Sequence, residues 1–144
     1  MKALIRKLKA GDAVDISRIS ASITRIHDQT DFERVVAKQT QREDDASFVA
    51  ELNGEVVGYW VSSILSGSFG IEKSAWVAML GVAPKVMGQG IGELLAAEAL
   101  KHYRTQGIKD IYTSVRWDST DLLSFFKTLG FSRSNFINLH RSLE

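Results

Sequence analysis

The chain of 144 residues contains no cysteine, only one proline and no long run of apolar residues. Without cysteine, the sequence excludes a disulfide framework, a thiolate metal site and a catalytic cysteine. The 18 lysines and arginines almost balance the 17 aspartates and glutamates, which gives no support to a nucleic-acid or membrane-surface role. The three histidines have no metal-ligand spacing, so we predict no metal site.

The composition is that of an ordinary globular protein. With 44% hydrophobic and 24% charged residues, the sequence predicts a single domain over residues 1–144. No stretch approaches the roughly 18 uncharged apolar residues of a membrane helix. The basic residues near the start, such as Lys2 and Arg6, are not followed by an apolar stretch long enough for a secretion signal. We therefore expect a soluble, cytoplasmic protein.

The predicted elements describe an α+β fold, in which helices pack on a mixed sheet. Alternating residues or short apolar runs indicate strands, and apolar residues at helical spacing indicate helices. The predicted elements are, in order, a strand over 3–8, a helix from about 13, a helix from about 32, strands over 47–52, 55–64 and 75–82, a helix over 88–106, a strand over 111–115, a helix from 119 to 130, and one or two strands within 131–143.

Turn and cap residues mark several of these boundaries. Asn53-Gly54 between two β-rich runs is a strong hairpin signal because both residues tolerate positive φ, so the second and third strands are predicted to be antiparallel. Asp12, Asp31 and Ser119 stand where the N-caps of helices belong. Three residues on or beside strands are predicted to belong to the core: Trp60, Trp76 and Trp117.

A glycine-rich turn between a buried strand and the longest helix is the most informative segment. It reads Leu-Gly-Val-Ala-Pro-Lys-Val-Met-Gly-Gln-Gly-Ile-Gly over residues 80–92. The first N–H groups of a helix have no internal partner, and the helix dipole places partial positive charge there. Glycine lets a phosphate approach this backbone because no Cβ stands in the way. The segment therefore predicts a phosphate or pyrophosphate site.

Two common phosphate motifs do not fit this turn. The dinucleotide pattern G-x-G-x-x-G fails because its third glycine position, counted from Gly88, holds Glu93. The P-loop ending G-K-[ST] is also missing. A second interpretation is that the glycines only permit a tight turn and close packing of the helix on the strand. The residues alone leave both interpretations open.

The run from Leu80 to Leu95 resembles the cofactor motif of the GNAT superfamily of acyl-CoA-dependent N-acyltransferases. That motif is an apolar strand, a proline two residues after a valine, and Arg/Gln-x-x-Gly-x-Gly/Ala at the start of a helix. The matching residues are Pro84, Gly90, Ile91 and Gly92. A second family motif, a strand and a helix that ends in Leu-Gly-Phe, resembles residues 115–131. The resemblance implies the family fold, a mixed and mostly antiparallel sheet flanked by about four helices.

The resemblance also implies acetyl-CoA as the co-substrate. In the family, the strand that matches residues 80–82 pairs its backbone with the pantetheine arm, and main-chain amides of the following loop hold the pyrophosphate. Residues at the start of the later helix approach the thiol end. The implied cofactor-binding residues are Leu80, Gly81, Val82, Lys85, Met87, Gly88, Gln89, Gly90, Ile91, Gly92, Glu93, Ser119 and Phe126.

The sequence departs from the family pattern in four respects. Met87 stands where the family usually has arginine or glutamine, and Ser119 replaces a frequent asparagine. Phe126 stands where a tyrosine often protonates the departing thiolate. Ala78 and Ser114 match the positions from which a glutamate often acts as the base. The usual acid and the usual base are therefore both missing.

Substitute catalytic groups can be proposed from strand geometry. Tyr112 and Ser114 alternate onto one face of their strand, and Asp118 is the carboxylate nearest to the inferred thioester. We name Asp118 and Tyr112 as candidates for a water-relayed base, with Ser114 as a third candidate. The structural alternative is that Asp118 is a solvated loop residue and that Tyr112 packs against a helix.

The implied function is direct transfer of an acetyl group from acetyl-CoA to a primary amine in a ternary complex. The acceptor, a peptide, a protein or a small molecule, would be shaped by residues 12–42 and by the loop over 66–73. The alternative is a non-catalytic acyl-CoA binding or sensing module of the same fold, which the missing acid and base favour. The resemblance also makes a homodimer, formed through the sheet edge or the tail, a possible assembly.

Overall fold

A computed structural model describes residues 2–24, 30–66 and 72–144. In this part of the chain, five strands form one sheet in the order β1-β2-β3-β4-β5, with four α-helices beside it. The strands are β1 (Leu4–Lys7), β2 (Phe48–Leu52), β3 (Glu55–Leu65), β4 (Ser74–Val82) and β5 (Ile111–Thr113). The α-helices are α1 (Ala13–Thr24), α2 (Phe32–Thr40), α3 (Ile91–Thr105) and α4 (Thr120–Thr128), and short 3-10 turns cover Ala10–Asp12 and Pro84–Val86.

The sheet is mixed and mostly antiparallel, which confirms the predicted α+β fold. β1, β2, β3 and β4 are joined by antiparallel pairing, whereas β4 and β5 are parallel. Asn53 and Gly54 have φ values of 55° and 79° and connect β2 to β3. These positive φ values confirm the hairpin that the Asn-Gly pair predicts. The parallel pair needs a crossover, and α3 supplies it.

The core lies between the central strands and the helices packed on them. Trp60 of β3 and Leu95 of α3 are almost completely buried, and Gly58 leaves room for α3 because a Cβ there would lie 3.3 Å from a Leu95 methyl. On α1 the predicted stripe is buried at Ile16 and Ile19. Its last predicted member, Ile26, lies outside the described residues. Among the helices of the described ranges, none has the length and apolar character that crossing a membrane requires.

The last predicted strands are wrong. Residues 131–144 form no strand, and most of their side chains are exposed, including Ile137 at 84% and Leu139 at 89%. A period-two pattern makes a strand only where a neighbouring strand supplies hydrogen bonds, and this segment is not paired with β5. β5 itself ends at Thr113, two residues earlier than predicted, because its pairing with β4 stops there.

Three further boundaries and burial predictions are corrected. The helix predicted from residue 88 begins at Ile91, because Gly88 and Gly90 have left-handed φ values of 83° and 82° that a helix cannot include. Trp117, predicted in the core, is 86% exposed because it follows β5 in a segment outside the sheet. Leu94, on the predicted buried side of α3, is 45% exposed.

Two of the three predicted residues occupy N-cap positions, and one of these makes a capping hydrogen bond. The Asp31 side chain accepts a hydrogen bond from the Arg34 N–H at 3.1 Å, which confirms it as the N-cap of α2. Asp12 lies inside the 3-10 turn before α1, where its carboxylate accepts from the Lys9 N–H. Ser119 occupies the N-cap position of α4, but its side chain makes no capping hydrogen bond.

Candidate acyl-CoA site between β4 and β5

The two parallel strands separate halfway along β4. Their pairing runs from Ala75↔Ile111 to Val77↔Thr113 and then stops, and the Thr113 hydroxyl donates to the Val77 carbonyl at 3.0 Å. On the other side of β4, Val61 pairs with Met79 and Ser62 with Val77, so Ala78 is an extra residue in the ladder. Such a bulge bends and twists its strand. The bulge therefore lies where β4 turns away from β5.

A cavity of about 220 Å³ fills the opening between the separated strands. Its walls are mostly apolar, with hydroxyl groups from serine, threonine and tyrosine. The lining residues are Ser20, Tyr59, Val77, Ala78, Met79, Leu80, Thr113, Ser114, Val115, Leu122 and Phe126. The β4 backbone from residue 78 to residue 82 pairs only with β3 in the described structure. Its other edge can therefore offer main-chain N–H and C=O groups to an extended ligand.

The glycine-rich turn leads from β4 into the N-terminus of α3. The first hydrogen bond within the helix joins the Leu94 N–H to the Gly90 carbonyl at 3.1 Å. The amides of Ile91, Gly92 and Glu93 therefore have no acceptor inside the helix. A Cβ at Gly88 would meet nothing within 4 Å, so this turn is open to a ligand. Free amides at a helix N-terminus suit an anionic phosphate.

The packing interpretation of the glycines also holds, at Gly92. A Cβ at this position would lie 2.9 Å from the Phe125 ring of α4, so the glycine allows α3 and α4 to approach closely. Gly81 has a comparable role, since a Cβ there would lie 2.7 Å from the Tyr59 ring. Gly88 and Gly90 are required instead by their positive φ. The glycines of the motif are thus required for different physical reasons, close packing at Gly81 and Gly92 and positive φ at Gly88 and Gly90.

Lys85, a basic side chain close to the glycine-rich turn, is already engaged in an ion pair. Lys85 donates to the Glu55 carboxylate at 2.7 Å, and both side chains are about half exposed. Met87 is 52% exposed. The Glu93 carboxylate would lie 3.4 Å from a Cβ at Gly90, which puts a negative charge beside the free amides. A phosphate here would depend on main-chain groups more than on a basic side chain.

The three predicted catalytic candidates lie in different surroundings. Ser114 lines the cavity, and its hydroxyl accepts a hydrogen bond from the Asn138 amide at 3.0 Å. Tyr112 stacks on Trp76 with ring centroids 4.8 Å apart and does not line this cavity. Asp118 is exposed, and its two oxygens accept hydrogen bonds from Arg116 at 3.0 and 3.1 Å. These bonds hold the pKa of Asp118 below its ordinary value.

The residues predicted for the thiol end take separate positions. Phe126 is buried and lines the cavity between the strands. Ser119 is the residue before α4, and its carbonyl accepts from the Leu123 N–H at 3.0 Å. Several lining residues were not predicted, among them Ser20 and Tyr59. Only the packing of α1 and β3 brings them to the opening, because they lie far from the glycine motif in the chain.

The described residues contain no set of side chains arranged to bind a metal ion. No group of three or more histidine, aspartate or glutamate side chains within ranges 2–24, 30–66 and 72–144 is placed to hold an ion. His102 instead contacts the Asp44 carbonyl at 2.8 Å. The arrangement described by these residues is an open helix N-terminus beside a cleft with hydroxyl-bearing, apolar walls.

Curated relatives carry acetyltransferase names. A mycothiol acetyltransferase of Amycolatopsis mediterranei is 34% identical over 94 residues, which cover 63% of this chain and 31% of that protein. An acetyltransferase of Pectobacterium atrosepticum is 30% identical over 113 residues, covering 78% of this chain and 76% of that protein. The chain spans about a third of the length of the mycothiol acetyltransferases that it matches.

Solved structures share the fold at low identity. The aminoglycoside acetyltransferase AAC(6')-Iy, in complex with a CoA bisubstrate analogue, has a TM-score of 0.83 at 16% identity, with 99% of each chain covered. A transcriptional regulator of Bacillus halodurans has a TM-score of 0.81 at 20% identity, covering 99% of this chain and all of the other. The profile described as "Acetyltransferase (GNAT) family" matches residues 13–131. The chain therefore belongs to the GNAT acetyltransferase family.

Proposed function

We propose that this chain transfers an acetyl group from acetyl-CoA directly to a primary amine. One observation carries the proposal: the opening between β4 and β5 lies on the same strand that leads into the open N-terminus of α3. A long ligand with an anionic end and a reactive end needs these two features next to each other. Membership of the GNAT family supports acetyl-CoA as that ligand.

The residues present suit the co-substrate. The unpaired edge of β4 at Leu80, Gly81 and Val82 can pair with the amide groups of the pantetheine arm. The amides at the start of α3 can hold the pyrophosphate, with Gly88 and Gly90 leaving the backbone uncovered. The thioester would then lie toward the cavity that Phe126 and Ser114 line, with the start of α4 nearby.

The transfer itself forms a C–N bond and breaks the C–S bond of the thioester. The amine nitrogen attacks the carbonyl carbon, the thiolate leaves, and the nitrogen gives up a proton. A lysine-like amine has a pKa near 10.4, so neutralising it at pH 7 costs about 4–5 kcal/mol. A thiol has a pKa near 8.5, so its thiolate leaves with little help from an acid. The base is therefore the more important missing group.

The base would act through water. Ser114 is the candidate at the cavity wall and could hold such a water. Asp118 keeps its negative charge at neutral pH, but its hydrogen bonds to Arg116 make it a weak base. General-base assistance contributes about 10²–10⁴-fold. Holding the amine and the thioester together would supply much of the remaining acceleration.

The acceptor is proposed to be a small amine or the amine of a peptide. AAC(6')-Iy is named as an aminoglycoside acetyltransferase, and a structural neighbour from Brucella melitensis is named as a ribosomal-protein-alanine N-acetyltransferase. Both names describe primary-amine acceptors on very different molecules. The cavity of about 220 Å³ can take an amine-bearing end of either kind.

A non-catalytic acyl-CoA binding module is the second candidate. Two features of the cavity favour it. Phe126 lines the cavity but has no hydroxyl group to act as an acid, and the described lining contains no carboxylate to act as a base. The two functions predict the same CoA binding. They differ in whether an amine produces turnover.

The test measures CoA binding by calorimetry and thiol release from acetyl-CoA over a panel of primary amines. We expect micromolar binding and amine-dependent thiol release. Gly90→Ala should weaken CoA binding at least tenfold because its φ of 82° strains any L side chain. Gly11→Ala is the matched control, since φ is not positive there and a Cβ would meet nothing within 4 Å.

The outcomes separate the candidates. Binding with no turnover for any amine would support the non-catalytic module and contradict the transferase. If the folded wild-type chain bound no CoA, both candidates would be wrong. If Gly90→Ala and Gly11→Ala bound CoA equally well, the helix N-terminus would not be the phosphate site.

A further inference from the structure

The Tyr59 side chain of β3 lies over Gly81 of β4. These two residues are direct partners in the antiparallel ladder. A Cβ on Gly81 would lie 2.7 Å from a carbon of the Tyr59 ring and 2.8 Å from the phenol oxygen. The ring and the hydroxyl therefore occupy the space that any side chain at residue 81 would need. Because Gly81 leaves this space open, the hydroxyl reaches β4 beside the strand edge that β5 does not pair.

Tyr59 faces the side of the sheet that carries α1 and α2. Successive side chains of a strand point to opposite faces. At Gly58 a Cβ would lie 3.1 Å from a side-chain carbon of α3, so the even-numbered positions of this part of β3 face α3. At Ser63 the hydroxyl accepts a hydrogen bond from the Gln39 amide of α2 at 2.9 Å, so the odd-numbered positions face the other helices. Tyr59, in the odd set, is therefore on the face opposite α3.

The two faces supply different walls of the cavity between β4 and β5. The proposed pyrophosphate site is the N-terminus of α3, on the face opposite Tyr59. Tyr59 and Ser20 of α1 line the cavity from the other face, and both are buried, at 4% and 5% exposure. An acceptor must reach the thioester while acetyl-CoA is bound, so it needs a wall that the co-substrate does not cover. Tyr59 and Ser20 provide hydroxyl groups on such a wall.

We propose that the Tyr59 hydroxyl binds the acceptor amine and positions its nitrogen for attack on the thioester. The inference rests on the proposed acetyl transfer and names a residue for its acceptor side. A hydroxyl has one donor hydrogen and two acceptor lone pairs, so it can accept a hydrogen bond from an amine N–H besides its other contacts. The lone pair of the nitrogen is then left to point at the carbonyl carbon. The hydroxyl takes no proton in this role, and the proton that the nitrogen gives up still leaves to water.

The lining of the cavity selects the neutral form of the amine. As described, the lining carries hydroxyl groups but neither a carboxylate nor any other charged side chain. A buried ammonium without a counter-charge is costly, whereas a neutral amine needs only hydrogen-bond partners. The bound nucleophile is therefore the neutral amine, and its supply rises with pH up to the pKa of the amine itself.

The first test removes the hydroxyl with Tyr59→Phe, which keeps the ring over Gly81. Thiol release is measured at saturating acetyl-CoA over a range of concentrations of a lysine peptide, a polyamine and an aminoglycoside. We expect kcat/KM for the amine to fall about tenfold, the loss of one hydrogen bond, while the Kd for CoA changes less than twofold. Equal kcat/KM values in the variant and the wild type would overturn this proposal alone. A wild type that turns over none of the three amines would overturn the acetyl-transfer proposal together with it.

Tyr103→Phe is the matched control for a purely structural effect. Tyr103 is a tyrosine of α3 that is 2% exposed, and its hydroxyl lies 2.6 Å from the Ser62 hydroxyl, away from the lining of this cavity. We expect this variant to unfold at a lower temperature but to keep kcat/KM for the amine within twofold. If Tyr59→Phe and Tyr103→Phe lowered kcat/KM equally, the effect of Tyr59 would be one of stability and the proposal would be wrong.

The pH dependence separates positioning from proton transfer. We expect kcat/KM for each amine to rise toward the pKa of that amine in the wild type and in Tyr59→Phe, with the variant's curve about tenfold lower at every pH. Parallel curves would support positioning. A curve that changes shape in Tyr59→Phe would show that the hydroxyl takes the proton itself, and the positioning role would be overturned.

Discussion

β4 has a very different relationship with each of its two neighbours. It pairs with β3 over eight antiparallel positions, from Leu65↔Ser74 to Gly58↔Val82, but with β5 over only three parallel ones. We call the first region, β1 to β4 with α1 to α3, the closed side. The second, β5 with residues 114–144, is the open side. The closed side contains almost all of the buried residues, and the open side contains most of the large exposed apolar ones.

The two regions differ in how many of their backbone N–H and C=O groups have a partner on a neighbouring strand. Antiparallel pairing from β1 to β4 satisfies the backbone groups that face one another between these strands. β5 arrives by a crossover through α3 and leaves part of β4 unpaired. A buried backbone group must find a partner. The boundary between the two sides, where the free edge of β4 leads to the start of α3, is therefore the part of the molecule that can take up a ligand.

The largest contrast is expected between two leucines. Leu95→Ala, on the closed side, should lower the free energy of unfolding by about 2–5 kcal/mol, because the side chain is 1% exposed and packs on β3. Leu123→Ala, on the open side, should cost about 1 kcal/mol or less, since that residue is 42% exposed. Urea unfolding of the two variants measures both. Equal losses would contradict the division into two sides.

A smaller contrast is expected between two tyrosines. The buried Tyr103 hydroxyl accepts from the Ala46 N–H at 2.9 Å and lies 2.6 Å from the Ser62 hydroxyl. Burial raises the pKa of Tyr103 above its ordinary value, so the phenol stays neutral. Tyr103→Phe should cost about 1–3 kcal/mol because it leaves a buried N–H without an acceptor.

Tyr112→Phe is the matched control on the open side. The Tyr112 ring stacks on Trp76, and its hydroxyl makes no hydrogen bond to any residue in the described ranges. We expect a change within about 0.5 kcal/mol. Thermal unfolding of the two variants under the same conditions would test this contrast. If Tyr112→Phe lost as much stability as Tyr103→Phe, this account of the buried hydrogen-bond network would be refuted.

The smallest contrast concerns two arginines and depends on pH. Arg6 donates to Asp12 at 2.9 Å and also bonds to Glu51. Burial alone would raise the pKa of Asp12, but the hydrogen bonds from Arg6 and from the Lys9 amide outweigh it and lower the pKa. This contribution is complete above the ordinary pKa near 3.8 and is lost as the pH falls through the lower folded value.

Arg6→Ala should therefore cost about 1–2 kcal/mol at pH 7, and its difference from the wild type should shrink below about pH 4. Arg116→Ala is the control, because it removes the exposed partner of Asp118. We expect no measurable change in Tm from that variant. Unfolding curves between pH 2.5 and 7 would show both effects. A constant Arg6→Ala difference at every pH would remove Asp12 from the explanation.

Local signals predicted the closed side well. The Asn53-Gly54 turn, the Asp31 cap and the order of the elements along the chain follow from residues that act on their immediate neighbours. The glycine turn is similar, because the positive φ of Gly88 and Gly90 is a property of those residues themselves. The roles of the predicted cofactor and catalytic residues stay predictions until CoA binding and turnover are measured.

Other features could not be predicted from residues that are adjacent in the chain. Trp117 was expected in the core from its residue type, but no element packs over it and it is exposed. Ser114 and Tyr112 share a strand face by alternation, yet only Ser114 lines the cavity because the strands separate just beyond Thr113. The bulge at Ala78 depends on the register with β3. These are consequences of packing between distant segments.

The sequence by itself determined the family, the element order and the conformation of the glycine turn, since each depends on residues that are close together in the chain. The tertiary structure alone decided how far β5 pairs with β4, which hydroxyls reach the opening and whether the last segment becomes a strand. Pairing depends on a partner strand that is distant in the chain. A period-two pattern such as Ile137, Leu139 and Leu143 specifies a face to be buried, but not the surface that buries it.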